Sequence, residues 1–371
     1  MIRGLLTLVL LLWTVAVPTT QAQRPATVYP SAAWEKADAK RSGWSNEKLA
    51  EARRYFGGLA DGSAFVVEHG CVVVEWGDPA KRVKLSSVRK SFLSALYGIH
   101  VRAGRLDLTK TLGQLGIDDH PPLNAVEKTA TLRMVLQARS GVYHPYVGGL
   151  LADRDAMPPR GSHAPGSFWY YNNWDFNVLG SVFEQQLHLT IAAEFQDRIA
   201  APIQMQDFRI EDMHYFGGTT KTAAVEQSIH PAYHFSMTAR DMARFGHLFL
   251  RGGAWKGRQL IPADWVAEST TSYSETGDGG GYGYLWWVNG FPGVSVPNYS
   301  ARGALGKYII VVPGRDLVVV YQNHTEFPDD AAAYSANQLQ RLPNVSAEQM
   351  GGLLKRILDA QPMSNGQGPG Q

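Results

Sequence analysis

The sequence predicts a mixed α/β (α+β) fold: a mainly antiparallel sheet built from both chain ends, flanked by helices, with a large and mostly helical insertion between its halves. Three observations predict it. β-Branched and aromatic runs cluster near the start and in the last third of the chain, helical periodicity fills residues 87–253, and short Gly/Pro-rich connections separate the helices. With 44% hydrophobic and 18% charged side chains in 371 residues, there is ample material for a core. The 35 basic and 33 acidic side chains leave a formal charge of +2, too little to hold a polyanion by counterion release. Nucleic acid is therefore not an expected partner.

The first 22 residues stand apart. Arg3 precedes an almost wholly apolar stretch over 5–17, about 13 residues and too short to cross a bilayer comfortably, and small polar residues follow to Ala22. This is the pattern of a cleavable export signal over 1–22, so a secreted or periplasmic protein with no membrane span after processing is expected. Residues 23–371 are expected to form a single domain, with a sheet subdomain about 45–85 plus 282–360, a helical subdomain about 86–281, and a disordered Gly/Pro/Ser/Gln tail over 362–371. Cys71 is the only cysteine, which excludes an internal disulfide. In its alternating run it reads as a small buried hydrophobe rather than a nucleophile.

Residues 23–44, dotted with proline and charge, are expected to wrap the surface. Ser45 caps a predicted helix over 46–55, where Leu49, Ala52 and Tyr55 recur at helical spacing. Residues 64–68 and 71–76 flank His69-Gly70 as a β-hairpin. Helices are predicted over 88–102, 131–138, 174–187, 191–199 and 239–250. Strands return at 282–288, 308–312 and 317–322, the last two joined by a turn at Pro313-Gly314-Arg315-Asp316. A final helix starts after Ser346, with Gln349 placed for a capping box. The seam between sheet and helical insertion is the expected place for a site.

Several chemical signatures are missing. The chain has no Gly-x-Ser-x-Gly, no Gly-x-x-x-x-Gly-Lys-[Ser/Thr] and no Gly-x-Gly-x-x-Gly opening a helix. His230 and His234 are four apart, but Pro231 would break a helix presenting both, so they read as surface or core histidines. Neither a metal nor an organic cofactor is implied.

What remains is Ser-x-x-Lys. If Ser87 opens the helix running to Arg102, Lys90 lies one turn on and its amine reaches the hydroxyl. A serine alcohol needs a base, and a lysine serves if burial and the positive helix N-terminus lower its pKa. With 22 Ser and 12 Lys, about 0.7 such pairs arise by chance, and Ser45-Asn46-Glu47-Lys48 is a second match. Ser45, however, is explained as a cap on a polar helix. An apolar run with Val88, Phe92, Leu93, Leu96 and Tyr97 follows Ser87.

Two further segments fit the same chemistry. Residues 165–173 end in Tyr170-Tyr171-Asn172-Asn173 just before a helix, where a tyrosine could exchange a proton with a serine hydroxyl beside a cation. Residues 300–308 carry Ala301-Arg302-Gly303-Ala304 into a strand, and a glycine there lets substrate approach the backbone, one N–H joining that of Ser87 as an oxyanion hole.

In this order, the segments resemble the serine β-lactamase and penicillin-binding protein superfamily. Ser87-Val88-Arg89-Lys90 resembles its first motif, and Tyr171-Asn172-Asn173 is similar to the Tyr-x-Asn of class C β-lactamases and their esterase and amidase relatives. The overlapping Tyr170-Tyr171-Asn172 also fits, but in the family the Asn stands seven residues before a helix glycine, and Gly180 selects Asn173. Ala301-Arg302-Gly303 occupies the place of the family's Lys-Thr-Gly. Similar wording at 136–142, 240–246 and 282–287 extends the likeness over residues 60 to 325. The pattern looks most like the branch containing 6-aminohexanoate-dimer hydrolase and related esterases, which also lacks Lys-Thr-Gly.

The resemblance implies a β-lactamase/transpeptidase-like catalytic domain and an exported serine hydrolase forming an acyl-enzyme on a small-molecule ester, amide or peptide-like substrate. It implies Ser87 as nucleophile, Lys90 as base and Tyr171 as proton shuttle to the leaving group. Backbone N–H groups of Ser87 and Ala304 would form the oxyanion hole, and Asn173, Arg302 and Gly303 would bind substrate. Trp169, Trp174, Trp286 and Trp287 are candidates for the pocket or the core. β-Lactamase or D-alanyl-D-alanine carboxypeptidase activity is the alternative within enzymes, weakened by the missing lysine that holds the drug's carboxylate. A non-catalytic relative binding a ligand or protein is the alternative outside them. The oligomeric state is left open.

Overall fold

The computed structural model describes residues 28–37, 43–148, 156–216, 228–327, 338 and 341–361. The expected export signal over 1–22 and the tail over 362–371 lie outside these residues. Strand β1, Gly62–Glu68, turns through His69 (φ 51°) and Gly70 (φ 86°) into β2, Cys71–Trp76. Two consecutive left-handed residues match the twist of an antiparallel pair, which is why His-Gly serves here. The predicted cap also forms, Ser45 Oγ accepting from the Lys48 amide at 3.3 Å at the head of helix α1, Asn46–Gly57.

After the short strand β3, Val83–Lys84, the chain enters the helical part: α2, Arg89–Arg102; α3, Leu132–Leu136; α4, Asn173–Leu187; and α5, Ile191–Phe195. Strands β4, Met213–Phe216, and β5, Ala232–Met237, join β3 in a three-stranded sheet of order β3-β5-β4. Helix α6, Ala239–Leu250, has the predicted ends, and Thr238 caps it by accepting from the Asp241 amide. A small pair, β6 (Ala254–Trp255) and β7 (Arg258–Gln259), and helix α7, Ala263–Ser269, complete the insertion.

The remaining strands are β8, Ser274–Glu275; β9, Gly280–Tyr282; β10, Trp287–Asn289; β11, Tyr299–Gly303; β12, Lys307–Val312; and β13, Leu317–Asn323. They assemble with the N-terminal hairpin into an antiparallel eight-stranded sheet of order β2-β1-β13-β12-β11-β10-β9-β8. The sheet thus draws on both parts of the chain, as predicted. Helix α8, Ala347–Ala360, starts on the predicted Ser346/Gln349 capping box.

Strand parity divides the core in two. Ile309, Val311, Val318 and Val320 face the helical part, whereas Tyr308, Ile310, Val312, Leu317 and Val319 face the layer formed by α1 and α8. Each fully buried Val, Leu or Phe contributes roughly 1.5–3 kcal/mol. Helix α2 is buried on nearly every side because it runs through the first of these layers, with Phe92, Leu93, Leu96 and Tyr97 fully buried.

Three expectations need correction. The run 282–288 is not one strand but a tight turn between β9 and β10, closed by the Gly283 amide donating to the Trp286 carbonyl at 2.8 Å, with Leu285 at φ 63°. Cys71, at the start of β2, is half-buried rather than in the core, and burial raises its thiol pKa. The described part of 23–44 is pinned as well as wrapped: the Trp34 indole donates to the Arg240 carbonyl at 3.0 Å and the buried Trp44 indole to Glu68 at 2.7 Å. Among the described residues no helix is long and apolar enough to cross a membrane.

Candidate active site

Ser87 lies in a tight helical turn, Ser86–Val88, that leads directly into α2. Leu85 and Val88 anchor the turn by full burial, and Ser86 sits at φ 50°, a left-handed backbone that costs a non-glycine residue free energy. One turn on, Lys90 is 1% exposed. Its Nζ lies 2.8 Å from Ser87 Oγ, 2.8 Å from the Tyr171 hydroxyl and 2.9 Å from Asn173 Oδ1. The ammonium end also lies 4.4 Å and 4.3 Å from the ring centres of Tyr171 and Phe176. Helical spacing brings Ser87 and Lys90 together, and burial holds the amine where those oxygens are.

The loop before α4 supplies the phenol. Asn172 is the cap of α4: its Oδ1 accepts from the Trp174 amide at 3.2 Å and its Nδ2 donates to the Val142 carbonyl at 2.7 Å and to Asp175 at 2.8 Å. Asp175 also accepts from Ser140 Oγ at 2.5 Å. Burial holds its carboxyl well above the usual carboxylate range, which favours the neutral form in this apolar place. With Asn172 fixed inward, Tyr171 and Asn173 both point to Lys90. The Tyr170 ring instead packs against Tyr143, 5.9 Å away. Of the overlapping triplets, the one selected by Gly180 therefore surrounds the amine.

Aromatic side chains form one wall. The Tyr171 ring lies 5.3 Å from Trp287 and 6.0 Å from Tyr282, and Trp169 is 6.1 Å from Trp287. Trp169 and Trp287 are half-buried beside the phenol, whereas Trp174 and Trp286 belong to the core.

Strand β11 closes the other side. Its neighbour β10 pairs only with Tyr299 and Ser300, leaving Ala301–Gly303 without a ladder partner on that edge. At Gly303 a Cβ atom would lie 2.4 Å from the Leu85 carbonyl oxygen and 3.2 Å from Val88 Cγ2. Only glycine lets the strand end come this close to the Ser87 turn. Ala304 follows, exposed, at the start of the turn into β12.

Arg302 does not join the other candidates. Ala301 and Gly303 face α2, so alternation turns Arg302 to the other side, where its guanidinium lies 4.2 Å from the Phe291 ring centre and 5.1 Å from that of Trp287. Its Nε donates to Ser300 Oγ at 3.0 Å, Nη1 to Asp278 at 3.3 Å and Nη2 to the Asn289 carbonyl. Three of its five N–H groups are engaged in these bonds, which place the guanidinium in the packing on the side of β11 away from Lys90. Arg302→Ala is accordingly expected to cost about 2 kcal/mol of stability in a denaturant titration, with KM for a small ester changing less than about threefold.

Arg89, which the sequence presented only as a spacer within the motif, is 6% exposed and stacks 4.5 Å from the Tyr233 ring centre. His230 is a core histidine, 2.9 Å from Ser181 Oγ and 2.9 Å from the Asp118 carbonyl.

The sequence profile of the β-lactamase family matches residues 47–341. Among solved structures, the chain is similar to a candidate 6-aminohexanoate-dimer hydrolase from Bacillus anthracis, at 19% identity over 87% of this chain and 88% of that one, with a TM-score of 0.58. A candidate β-lactamase from Bacteroides dorei DSM 17855 is similar at 16% identity over 85% and 99% of the two chains, TM-score 0.59. A penicillin-binding protein homologue from Caulobacter crescentus is similar at 18% identity over 76% and 93%, TM-score 0.55. At such identities these likenesses establish a shared fold.

Proposed function

The chain belongs to the β-lactamase family of serine hydrolases, and from that premise we propose that it cleaves a small ester or amide through an acyl-enzyme on Ser87. The observation that carries this reading is the Lys90 amine, 2.8 Å from both the Ser87 hydroxyl oxygen and the Tyr171 hydroxyl. Neutral Lys90 takes the Ser87 proton as Oγ attacks the substrate carbonyl carbon, and the carbonyl oxygen becomes an oxyanion received by the N–H groups of Ser87 and Ala304. As the bond to the leaving group breaks, Tyr171 passes the proton to the departing alkoxide or amine. Water then attacks the acyl carbon by the same route, returning a proton to Ser87. Asn173 keeps the amine aimed, and the open edge at Ala301–Gly303 accommodates the acyl chain.

A neutral substrate is favoured over a β-lactam. Ala301 offers no charge, and the Arg302 guanidinium is turned to Asp278, Ser300 and the Asn289 carbonyl rather than toward Lys90, which supports a substrate without a carboxylate at these positions. The export signal over 1–22 belongs to the same reading, as a secreted or periplasmic enzyme.

Labelling with a fluorophosphonate probe tests the assignment. Wild type and Ser45→Ala are expected to label equally and Ser87→Ala not at all, whereas label retained in Ser87→Ala means that another serine is the nucleophile. Turnover of p-nitrophenyl esters at rates far above that of nitrocefin is expected alongside, and the reverse order would favour a β-lactamase.

A further inference from the structure

Lys307 opens β12 on the face that also carries Ile309 and Val311 toward the helical part, and it is fully buried. Its Nζ donates to the Thr325 carbonyl at 2.8 Å and lies 3.5 Å from the Ala304 carbonyl oxygen. Burying an amine is costly where methionine or leucine would fill the same space, so what distinguishes a lysine here is its donors. Burial pushes its pKa down to about 8, and even the uncharged amine keeps hydrogens for both carbonyls. The residues it joins bear on both halves of the site. Thr325 and Glu326 follow β13, and Glu326 Oε1 accepts at 2.8 Å from the amide of Lys84, which stands just before the Ser86–Val88 turn. Asn323, the last residue of β13, accepts from the Thr325 amide at 2.8 Å through Oδ1, and its own amide donates to the Gly306 carbonyl at 3.0 Å. Residues 323–326 are thus bonded on one side to the strand entering the Ser87 turn and on the other to the turn after Gly303. Each of these turns holds a non-glycine residue in left-handed backbone, Ser86 at φ 50° and Leu305 at φ 65°, conformations that persist only where surrounding contacts over-determine them.

We propose that Lys307 is a positioning residue for the oxyanion hole: through Thr325 and Glu326 it fixes the distance between the Ala304 N–H and the Ser87 N–H. This deepens the hydrolase reading above and rests on it. Lys307 bonds to main chain and not to substrate, so its effect falls on the charge that develops in the transition state and spares ground-state binding.

The test uses the full chain as wild type, Lys307→Met, Glu326→Ala and Glu326→Gln. For each, kcat and KM for p-nitrophenyl acetate are measured, with the rate constant and final extent of fluorophosphonate labelling and Tm. Lys307→Met keeps the stem and loses the donors, and its kcat is expected to fall roughly 30-fold with KM changed less than about threefold. The phosphoryl oxygen of the probe uses the same hole, so the labelling rate constant should fall in parallel while the final extent stays that of wild type. Glu326 is exposed, so Glu326→Ala should keep the wild-type Tm yet lose about fivefold in kcat, and Glu326→Gln, which retains the acceptor, should restore the rate. Should Lys307→Met not fold, the two Glu326 variants decide alone. Wild-type kcat in Lys307→Met or in Glu326→Ala overturns the proposal, as does a lower labelled extent at an unchanged rate constant, which marks a purely structural role. In those cases an active wild type leaves the hydrolase reading standing. A wild type that neither turns over esters nor labels at Ser87 overturns both.

Discussion

Lys90→Met should lower kcat for ester hydrolysis by at least about 10³-fold while leaving the fold intact. The alcohol of Ser87 is a weak nucleophile without a base, and in the proposed mechanism the amine 2.8 Å from it is that base. Losing it also removes the shared partner of the Tyr171 hydroxyl and Asn173 Oδ1, so the phenol loses its aim together with the base. Stability should move far less. The amine lies 4.4 Å and 4.3 Å from the ring centres of Tyr171 and Phe176, faces that a thioether also meets, and the loss of its hydrogen bonds is partly returned by not burying an amine. The net change is expected to stay within about 2 kcal/mol. Single-turnover kinetics with a p-nitrophenyl ester, beside thermal melts followed by circular dichroism, separates the two effects. A kcat within tenfold of wild type at unchanged Tm would remove Lys90 from the chemistry.

The same residues show what the sequence could carry and where local pattern stops. Ser87 and Lys90 were legible because the relation between them is local: a helical turn makes positions three apart neighbours whatever the rest of the fold does. Tyr171 was separable from Tyr170 only through the spacing to Gly180, and the physical reason lies in Asn172, whose inward bonds to Val142 and Asp175 turn its two neighbours outward. The face that Arg302 takes was not legible because a strand's alternation, unlike a motif, depends on which face the sheet buries. Gly303 against Leu85 settles that parity in three dimensions.

The run 282–288 misled for a related reason. Its aromatic residues suit a strand and a buried turn equally, and the turn is held by contacts from distant residues, the Tyr284 amide donating to the Ser269 carbonyl at 2.9 Å. Arg89 was invisible for the opposite reason. Charged spacers in a motif are ordinarily solvated, and only the packing of α2 against β5 takes this one out of water.

Gly303→Val tests the other half of the site, and a loss of about 10²–10³ in kcat is expected. A Cβ at this position falls 2.4 Å from the Leu85 carbonyl oxygen, and that neighbour is main chain, which cannot rotate away. Either the β11–β12 turn retreats or the Ser86–Val88 turn does. In both cases the distance between the Ala304 and Ser87 N–H groups changes, and the oxyanion hole proposed for them is expected to lose a donor. The valine methyls meet Val88 Cγ2 and Lys307 Cβ, 3.2 and 3.3 Å from the Cβ position, so overpacking should cost a further 1–3 kcal/mol, roughly, of stability. Because the proposed ground-state binding along Ala301–Gly303 uses backbone groups that largely persist, KM should rise less than kcat falls. Ala304→Val is the control, since its side chain is exposed and its N–H is kept, and it should retain most of the wild-type rate. Equal kcat in wild type and Gly303→Val would mean that the strand end contributes nothing to the reaction, leaving Ser87, Lys90 and Tyr171 to act with an oxyanion site elsewhere.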